Sequence, residues 1–337
     1  MTSLCVVGGG LAGTLLAWRL KCERPAARVD LVTGTHERPG ATERSGGMVR
    51  AFECDPVARS LATRSLAQIL SDPVLRVWSA FEQRGSVYVV ADPGEATLDV
   101  LKEVGEQLPG GERPQLARRA QGFSFAGDRA VAVLEPYGGY VRPGLLRDRV
   151  REDFTERGGK LQHEDLTIVP ASGRTGYDRT VLATGPWTGE LLRRSGLPDG
   201  GLRTKRIQYD RYETDGFGPP PFVDETTGLY GRADGPGGIL IGLPTQDWET
   251  DPSGPPDSRA LRLAAAKLAT VVLPDTRLVR HLGTVSATDC YSPEPGLALR
   301  TVPGAGGHMS TFTGGSGGAV KTALAASLDA ARSLLAP

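Results

Sequence analysis

Three glycines near the start of the chain carry the most legible chemistry. Gly8, Gly10 and Gly13 stand at the G-x-G-x-x-G spacing, between the apolar run 4–7 and the helix-forming stretch 11–20. A short apolar run of this kind reads as a buried parallel strand. In that setting Gly8 allows the tight turn, Gly10 lets a pyrophosphate approach the backbone, and Gly13 lets the helix pack on the strand. The free N–H groups of the helix start, at Leu11 and Ala12, and its positive dipole end point at that phosphate. A second strand over 29–32 follows at the βαβ distance.

The far end of the chain holds a second cradle. A strand over 308–313 feeds Gly314, Gly315, Ser316, Gly317 and Gly318, then a helix over 319–335. A nicotinamide dehydrogenase does not require such a feature. A flavin enzyme gains from one, because a helix N-terminus beside the flavin N1/O2 edge stabilises the negative charge of the reduced ring. FAD is therefore the expected cofactor. One position departs from the dinucleotide pattern. The acidic residue that usually closes the second strand and holds the ribose is replaced by Thr33, which offers one hydrogen bond.

The elements that must position these cradles follow in order. Residues 40–52 form a small, polar, glycine-containing loop suited to close approach of a ligand. Residues 56–84 read as helical, 86–92 as a strand and turn, and 95–108 as an amphipathic helix. A turn at 135–143 leads to a helix over 145–157, stopped by Gly158 and Gly159. The run 177–187 is a buried strand ending at Thr184 and Gly185, before a short helix. Residues 202–248 alternate short strands with turns, 259–272 is a helix, and 283–300 is extended.

Composition excludes several classes. Among 337 residues, 39 Lys+Arg balance 39 Asp+Glu, so no nucleic-acid surface or acidic partner is expected. There is no 18-residue apolar run and no signal-peptide pattern, and no membrane partner is expected. Cys5, Cys22, Cys54 and Cys290 are scattered, as are His36, His163, His281 and His308. A reduced, cytoplasmic, metal-free protein is the expectation.

The whole chain resembles the FAD-dependent D-amino-acid oxidase / glycine oxidase / sarcosine oxidase family, with a pattern nearest the monomeric sarcosine oxidases. The resemblance rests on the glycine turn, the small-residue loop at 41–48, Gly138-Gly-Tyr-Val-Arg-Pro143 and Val181-Leu-Ala-Thr-Gly-Pro-Trp187. It extends through Ser292-Pro-Glu-Pro-Gly-Leu and Val302-Pro-Gly304 to Thr313-Gly-Gly-Ser-Gly-Gly-Ala-Val-Lys321. It implies an α/β fold (α+β overall): a glutathione-reductase-type FAD-binding Rossmann domain over 1–84, 135–200 and 283–337. A mixed β-sheet substrate domain would be inserted at 85–134 and 201–282. It adds Arg44, Ser45, Gly46, Gly47, Met48, Leu166, Thr184, Gly185, Trp187 and Lys321 to the implied cofactor contacts. It also implies that Arg50 and Lys321 grip a substrate carboxylate and that Tyr230 stands in the active site. The residue types agree, since an arginine fork and a lysine point charge make a carboxylate clamp.

Two departures stand out. Leu240 takes the place of the lysine that activates oxygen in sarcosine-oxidase-like enzymes. Slow reaction with O₂ is expected, unless Lys205 or Arg206 substitutes; O₂ or another electron acceptor remains open. The cysteine that tethers flavin in that group aligns with Asp289, and Cys290 one residue on would face the other way. Non-covalent FAD is therefore expected, with a tether through Cys290 as the alternative. The activity implied is oxidation of the CH–NH bond of a small amino or imino acid to an imine, with proximity and flavin electronics supplied by the protein. The rivals are a flavin monooxygenase of related fold and a non-catalytic FAD-binding maturation partner.

Overall fold

A computed structural model describes residues 2–35, 40–94, 97–111, 113–216, 218–254 and 258–336. His36 lies outside them, as do the first two residues of the helix expected over 95–108.

The apolar runs do form a parallel sheet. Its six strands lie in the order Ala298–Thr301, Met309–Thr313, Arg179–Leu182, Ser3–Val7, Arg28–Thr33 and Lys160–His163. All neighbours are parallel except the edge pair Ala298–Thr301 and Met309–Thr313. Leu4 to Val7 and Val29 to Val32 are buried, as strands covered on both faces require. One face is covered by the helices Leu11–Glu23, Pro143–Glu156 and Ala319–Leu335. Leu15, Leu16, Val150, Phe154, Ala323 and Leu324 form one core with Leu4 and Val6.

A second, eight-stranded sheet runs Thr276–Tyr291, Arg203–Gly216, Gly238–Gly242, Tyr230–Ala233, Phe222–Asp224, Ser86–Val90, Val131–Glu135 and Gln115–Ala117. Alternation gives it two distinct faces. Tyr212, Ile239 and Ile241 pack on Ala265 and Ala269 of the helix Arg259–Val272. The ladder register places Asp289, Lys205, Ile207, Tyr209, Tyr230 and Leu240 on the other face. The loop 40–52 crosses toward this sheet through two arginines. Arg44 Nη1 donates to Ser286 O at 2.6 Å, and Arg232 Nε donates to Gly46 O at 2.7 Å. A third, small sheet joins Met48–Val49, Gly139–Tyr140 and Glu82–Gln83.

Two expectations about elements are corrected. The helix read over 56–84 is two helices, Pro56–Ser71 and Pro73–Trp78. Asp72 breaks it: the following proline disfavours helical backbone there, and its carboxylate caps the next helix, accepting from Val74 N and Leu75 N at 2.8 and 3.2 Å. The short strands read over 202–248 include one long strand, Arg203–Gly216. It pairs with Thr276–Tyr291 across two register shifts, and the latter starts well before residue 283.

No helix among the described residues is long and apolar enough to cross a membrane. No group of three or more His, Cys, Asp or Glu among them could hold a metal ion.

Candidate active site and cofactor cavity

A cavity of about 1070 Å³ opens at the C-terminal ends of the parallel strands, where ligands bind in open α/β sheets. The three glycines of the first turn have different reasons to be glycine. Gly8 has φ +123°, and a Cβ there would come to 2.3 Å from Ala183 O. A Cβ on Gly13 would stand 2.0 Å from Gly8 O, so helix and strand touch backbone to backbone. Gly10 has ordinary φ −68°, and the nearest protein atom to its Cβ position is Thr42 Oγ1 at 3.5 Å. No protein atom forbids a side chain at Gly10, which lines the cavity with Gly8, Leu11 and Ala12. The space a side chain would fill is the ligand's, which fits a pyrophosphate on this helix start.

Thr33 and Leu166 line one arm of the cavity. Two acids from the neighbouring strand, Glu164 and Asp165, just beyond Lys160–His163, line the same arm, and Glu164 is paired there with Arg174 at 2.7 Å. Asp165 also accepts from Thr35 N at 3.0 Å. Arg151, on the helix Pro143–Glu156, reaches the turn and donates to Gly9 O at 2.7 Å. Sequence reasoning passed over these residues because they lie far along the chain from the turn, 142 residues in the case of Arg151 and Gly9.

The other arm is walled by Ser45, Thr184, Gly185, Trp187, Ile207, Asp289, Gly315, Ser316 and Gly317. Gly185 and Ser316 have φ +55° and +54°. The remaining expected contacts stand behind this wall. Gly47 (φ +67°) packs against Val141 O, and Gly314 (φ +84°) against Ser292. Gly46 faces Leu240, and Gly318 lies against Lys321. Met48 pairs with Tyr140 in the small sheet, while Arg44 is spent on Ser286 O. Cys290 also borders the cavity, but its thiol is hydrogen-bonded by Thr313 and the Gly314 backbone, and burial pushes its pKa up.

Arg50 and Lys321 meet, and a carboxylate already lies between them. Arg50 Nη2 is 2.8 Å from Glu53 Oε1, and Lys321 Nζ forms an ion pair with the same oxygen. Arg50 Nε also donates to Phe52 O at 3.1 Å, and the guanidinium sits 4.5 Å over the Tyr88 ring. The buried carboxyl of Glu135 holds this segment, accepting from Ala51 N, Phe52 N and Ser86 Oγ at 3.1, 2.8 and 2.7 Å. Burial opposes charge on Glu53, but Arg50 and Lys321 outweigh it and hold the carboxyl below its usual value. Burial, then the Arg50 charge, brings Lys321 down to about 8. Neither cation lines the large cavity. Tyr230 lies on the second sheet, donates to Gln208 O at 2.7 Å, and is raised chiefly by burial. It is not brought to the Arg50–Lys321 pair.

Leu240 faces the loop: a Cβ on Gly46 would come to 3.7 Å from its Cδ1. Its ladder partners are Arg211 and Arg232. Lys205 and Arg206 are six and five residues before Arg211, which at about 3.4 Å per residue is roughly 17–20 Å along the strand. The cations beside Leu240 are therefore Arg211 and Arg232.

The FAD dependent oxidoreductase family DAO matches residues 3–332. No curated protein matches the chain. Among solved structures, an L-proline dehydrogenase from P. horikoshii is 16% identical, with a TM-score of 0.79 over 99% of this chain and 93% of that one. An iminodiacetate oxidase from Chelativorans sp. BNC1 is 17% identical (TM-score 0.72, 98% and 95% covered). A glycine oxidase from Geobacillus kaustophilus is 18% identical (TM-score 0.71, 99% and 95% covered). At these identities the structures share the fold. The two-armed cavity, its glycine cradles and the match along nearly the whole sequence agree, and the chain belongs to the DAO family of FAD-dependent oxidoreductases.

Proposed function

We propose that this enzyme oxidises the CH–NH bond of a small amino or imino acid whose carboxylate is held by Arg50 and Lys321. The observation that supports this is the ion triad. A guanidinium from residue 50 and an ammonium from residue 321 converge on one carboxylate oxygen of Glu53, so the pair has the spacing to grip a carboxylate. Arginine supplies a planar fork and lysine a movable point charge. In this reading the substrate carboxylate takes the place of the Glu53 carboxylate between the same two cations. Structures sharing the fold include enzymes titled for proline, glycine and iminodiacetate, all of which carry an amine beside a carboxylate.

FAD, when bound, supplies the chemistry by accepting the hydride equivalent from the amine-bearing carbon. The chain's residues bind, orient and exclude water. Gly10, Leu11 and Ala12 take the pyrophosphate, and the turn at Gly315–Gly317 takes the flavin half. Tyr230 and Leu240 belong to the sheet facing the loop. A substrate amine that binds neutral needs no strong base. The cofactor is held non-covalently, because burial outweighs the hydrogen bonds from Thr313 and the Gly314 backbone and keeps the Cys290 thiol from its reactive thiolate form. Residues 1–84, 135–200 and 283–337 bind the cofactor, and 85–134 and 201–282 the substrate.

The test is anaerobic bleaching of the purified yellow protein by matched amino acids and their amides, followed by air. Acids should bleach the flavin and amides should not. Reoxidation should be slow, since the leucine at 240 supplies no charge for superoxide and the neighbouring Arg211 and Arg232 are paired with Asp234. Bleaching by acid and amide alike would remove the clamp, and bleaching by neither would remove amine oxidation. Acid precipitation should release the FAD; flavin left on the denatured protein would point to Cys290.

A further inference from the structure

Buried polar atoms are nearly always hydrogen-bonded, and each exception calls for a cause. Asp289 is such an exception. It lies on Thr276–Tyr291 at 5% exposure, and its Oδ2 has no hydrogen-bond partner among the described residues. The side chain faces the cavity, where it forms part of the wall with Ile207 and Gly317. A Cβ on Gly317 would come to 3.3 Å from that Oδ2. The arm with Thr33 and Leu166 lies beyond the pyrophosphate turn, so the arm with Asp289 is left for the flavin half.

Among the described residues no neighbouring cation answers this carboxyl. Lys205 is its ladder partner, but the ammonium lies over Trp248 and Tyr291, 4.8 and 6.0 Å from the ring centroids. Arg206 is on the opposite face, against Ser286 and Asp247. Arg44, from the loop, is bonded to Ser286 O. The other titratable neighbours, Tyr230, Cys290 and Tyr291, are themselves acids raised first by burial, and an Asp289 charge raises them further. The segments Gly185–Trp187 and Ser316–Gly318, which also pack on this strand, carry no titratable group. Burial alone pushes the Asp289 carboxyl up to about 7.

We propose that Asp289 contacts FAD as a neutral acid, donating a hydrogen bond from Oδ2 to a carbonyl or ring-nitrogen acceptor of the flavin, so that losing its proton weakens cofactor binding. A carboxylate there would lose the donor and set a negative charge against electron-rich acceptors. This requires FAD in the cavity but not the amine substrate or the Arg50–Lys321 clamp.

The experiment titrates apoprotein with FAD, reading flavin fluorescence, from about pH 5.5 to 8.5, a window that brackets the raised carboxyl. Wild type should bind tightest at the acid end and weaken toward roughly tenfold per pH unit once Asp289 ionises, the slope of one linked proton. Asp289→Asn, neutral and still a donor, should give a flat profile and bind at the alkaline end as wild type does at the acid end. Asp289→Leu should be flat and weaker throughout. A flat wild-type profile overturns the proposal without any variant. An Asn protein that keeps the wild-type slope overturns it as well.

Discussion

Glu53 is a mostly buried acid and Asp289 a fully buried one, and the protein treats them in opposite ways. Glu53 is met by two cations drawn from opposite ends of the chain and is held charged. Among the described residues Asp289 is met by none, since its ladder partner Lys205 is turned onto aromatic rings. A buried carboxyl can be stabilised by partners or left to keep its proton. The first arrangement makes a place where a carboxylate belongs. The second makes a place where a neutral donor belongs. Under the proposed function the contrast separates two tasks, gripping an anionic substrate and receiving an electron-rich ring.

The largest expected effect lies at Glu53. Glu53→Gln leaves Arg50 and Lys321 facing each other without their counter-ion, and breaking a buried pair typically costs about 3–5 kcal/mol. Chemical denaturation should show that loss. A carboxylate inhibitor should then raise the variant's midpoint more than the wild type's, while its amide should not. An unchanged midpoint would erase the contrast between the two acids.

Next in size is the pH dependence of apoprotein stability. The Asp289 carboxyl is raised from 3.8 to about 7, so its contribution is full below its unfolded value and is lost as pH rises through the folded one. A shift of that size is of the order of 4 kcal/mol. Glu53 is lowered, so its contribution is present above its unfolded value and is lost as pH falls through the folded one. Asp289→Asn should remove the loss between about pH 4 and 7 and leave the acid limb intact. A variant that flattens the acid limb instead would assign the titration to the wrong acid.

The smallest effects are the clamp variants. Arg50→Lys and Lys321→Met each remove a charge-assisted hydrogen bond worth about 1.5–3 kcal/mol, so each should lose roughly 10–150-fold in affinity for a carboxylate inhibitor. The double variant should lose less than the sum, because both cations serve one carboxylate. Titrating flavin absorbance with the acid and its amide checks this. Equal losses for both ligands would show that the pair does not read the carboxylate.

The two glycine cradles and several helix limits were legible in the sequence because local chemistry fixes them. Gly8 and Gly13 are required by backbone contact, and the helices Arg259–Val272 and Ala319–Leu335 run as their periodicity predicts. The break at Asp72 was also written locally, in an acid followed by proline, but the apolar spacing on either side hid it. What stayed illegible depends on register and distance. Glu53 follows Arg50 by three residues and reads as part of a solvated face until Lys321 arrives. Arg232 becomes the cation beside Leu240 only once Tyr230–Ala233 pairs with Gly238–Gly242. The loneliness of Asp289 depends on where the Lys205 side chain goes, which no spacing encodes.

The strand Met309–Thr313 is hydrogen-bonded on both sides, to Arg179–Leu182 and to Ala298–Thr301, and follows every other strand of its sheet in the sequence. A chain emerging from the ribosome can pair Ser3–Val7 with Arg28–Thr33 early. It cannot finish the sheet that cradles its cofactor until Met309–Thr313, far along the sequence, has been synthesised. Until then the apolar edge of Arg179–Leu182 stays open, and late, long-range closure of this kind is slow and exposed to aggregation. FAD is thus a ligand that requires Met309–Thr313 and the glycine turn after it, and deleting that strand should strip the cofactor while the eight-stranded sheet, which pairs without it, persists.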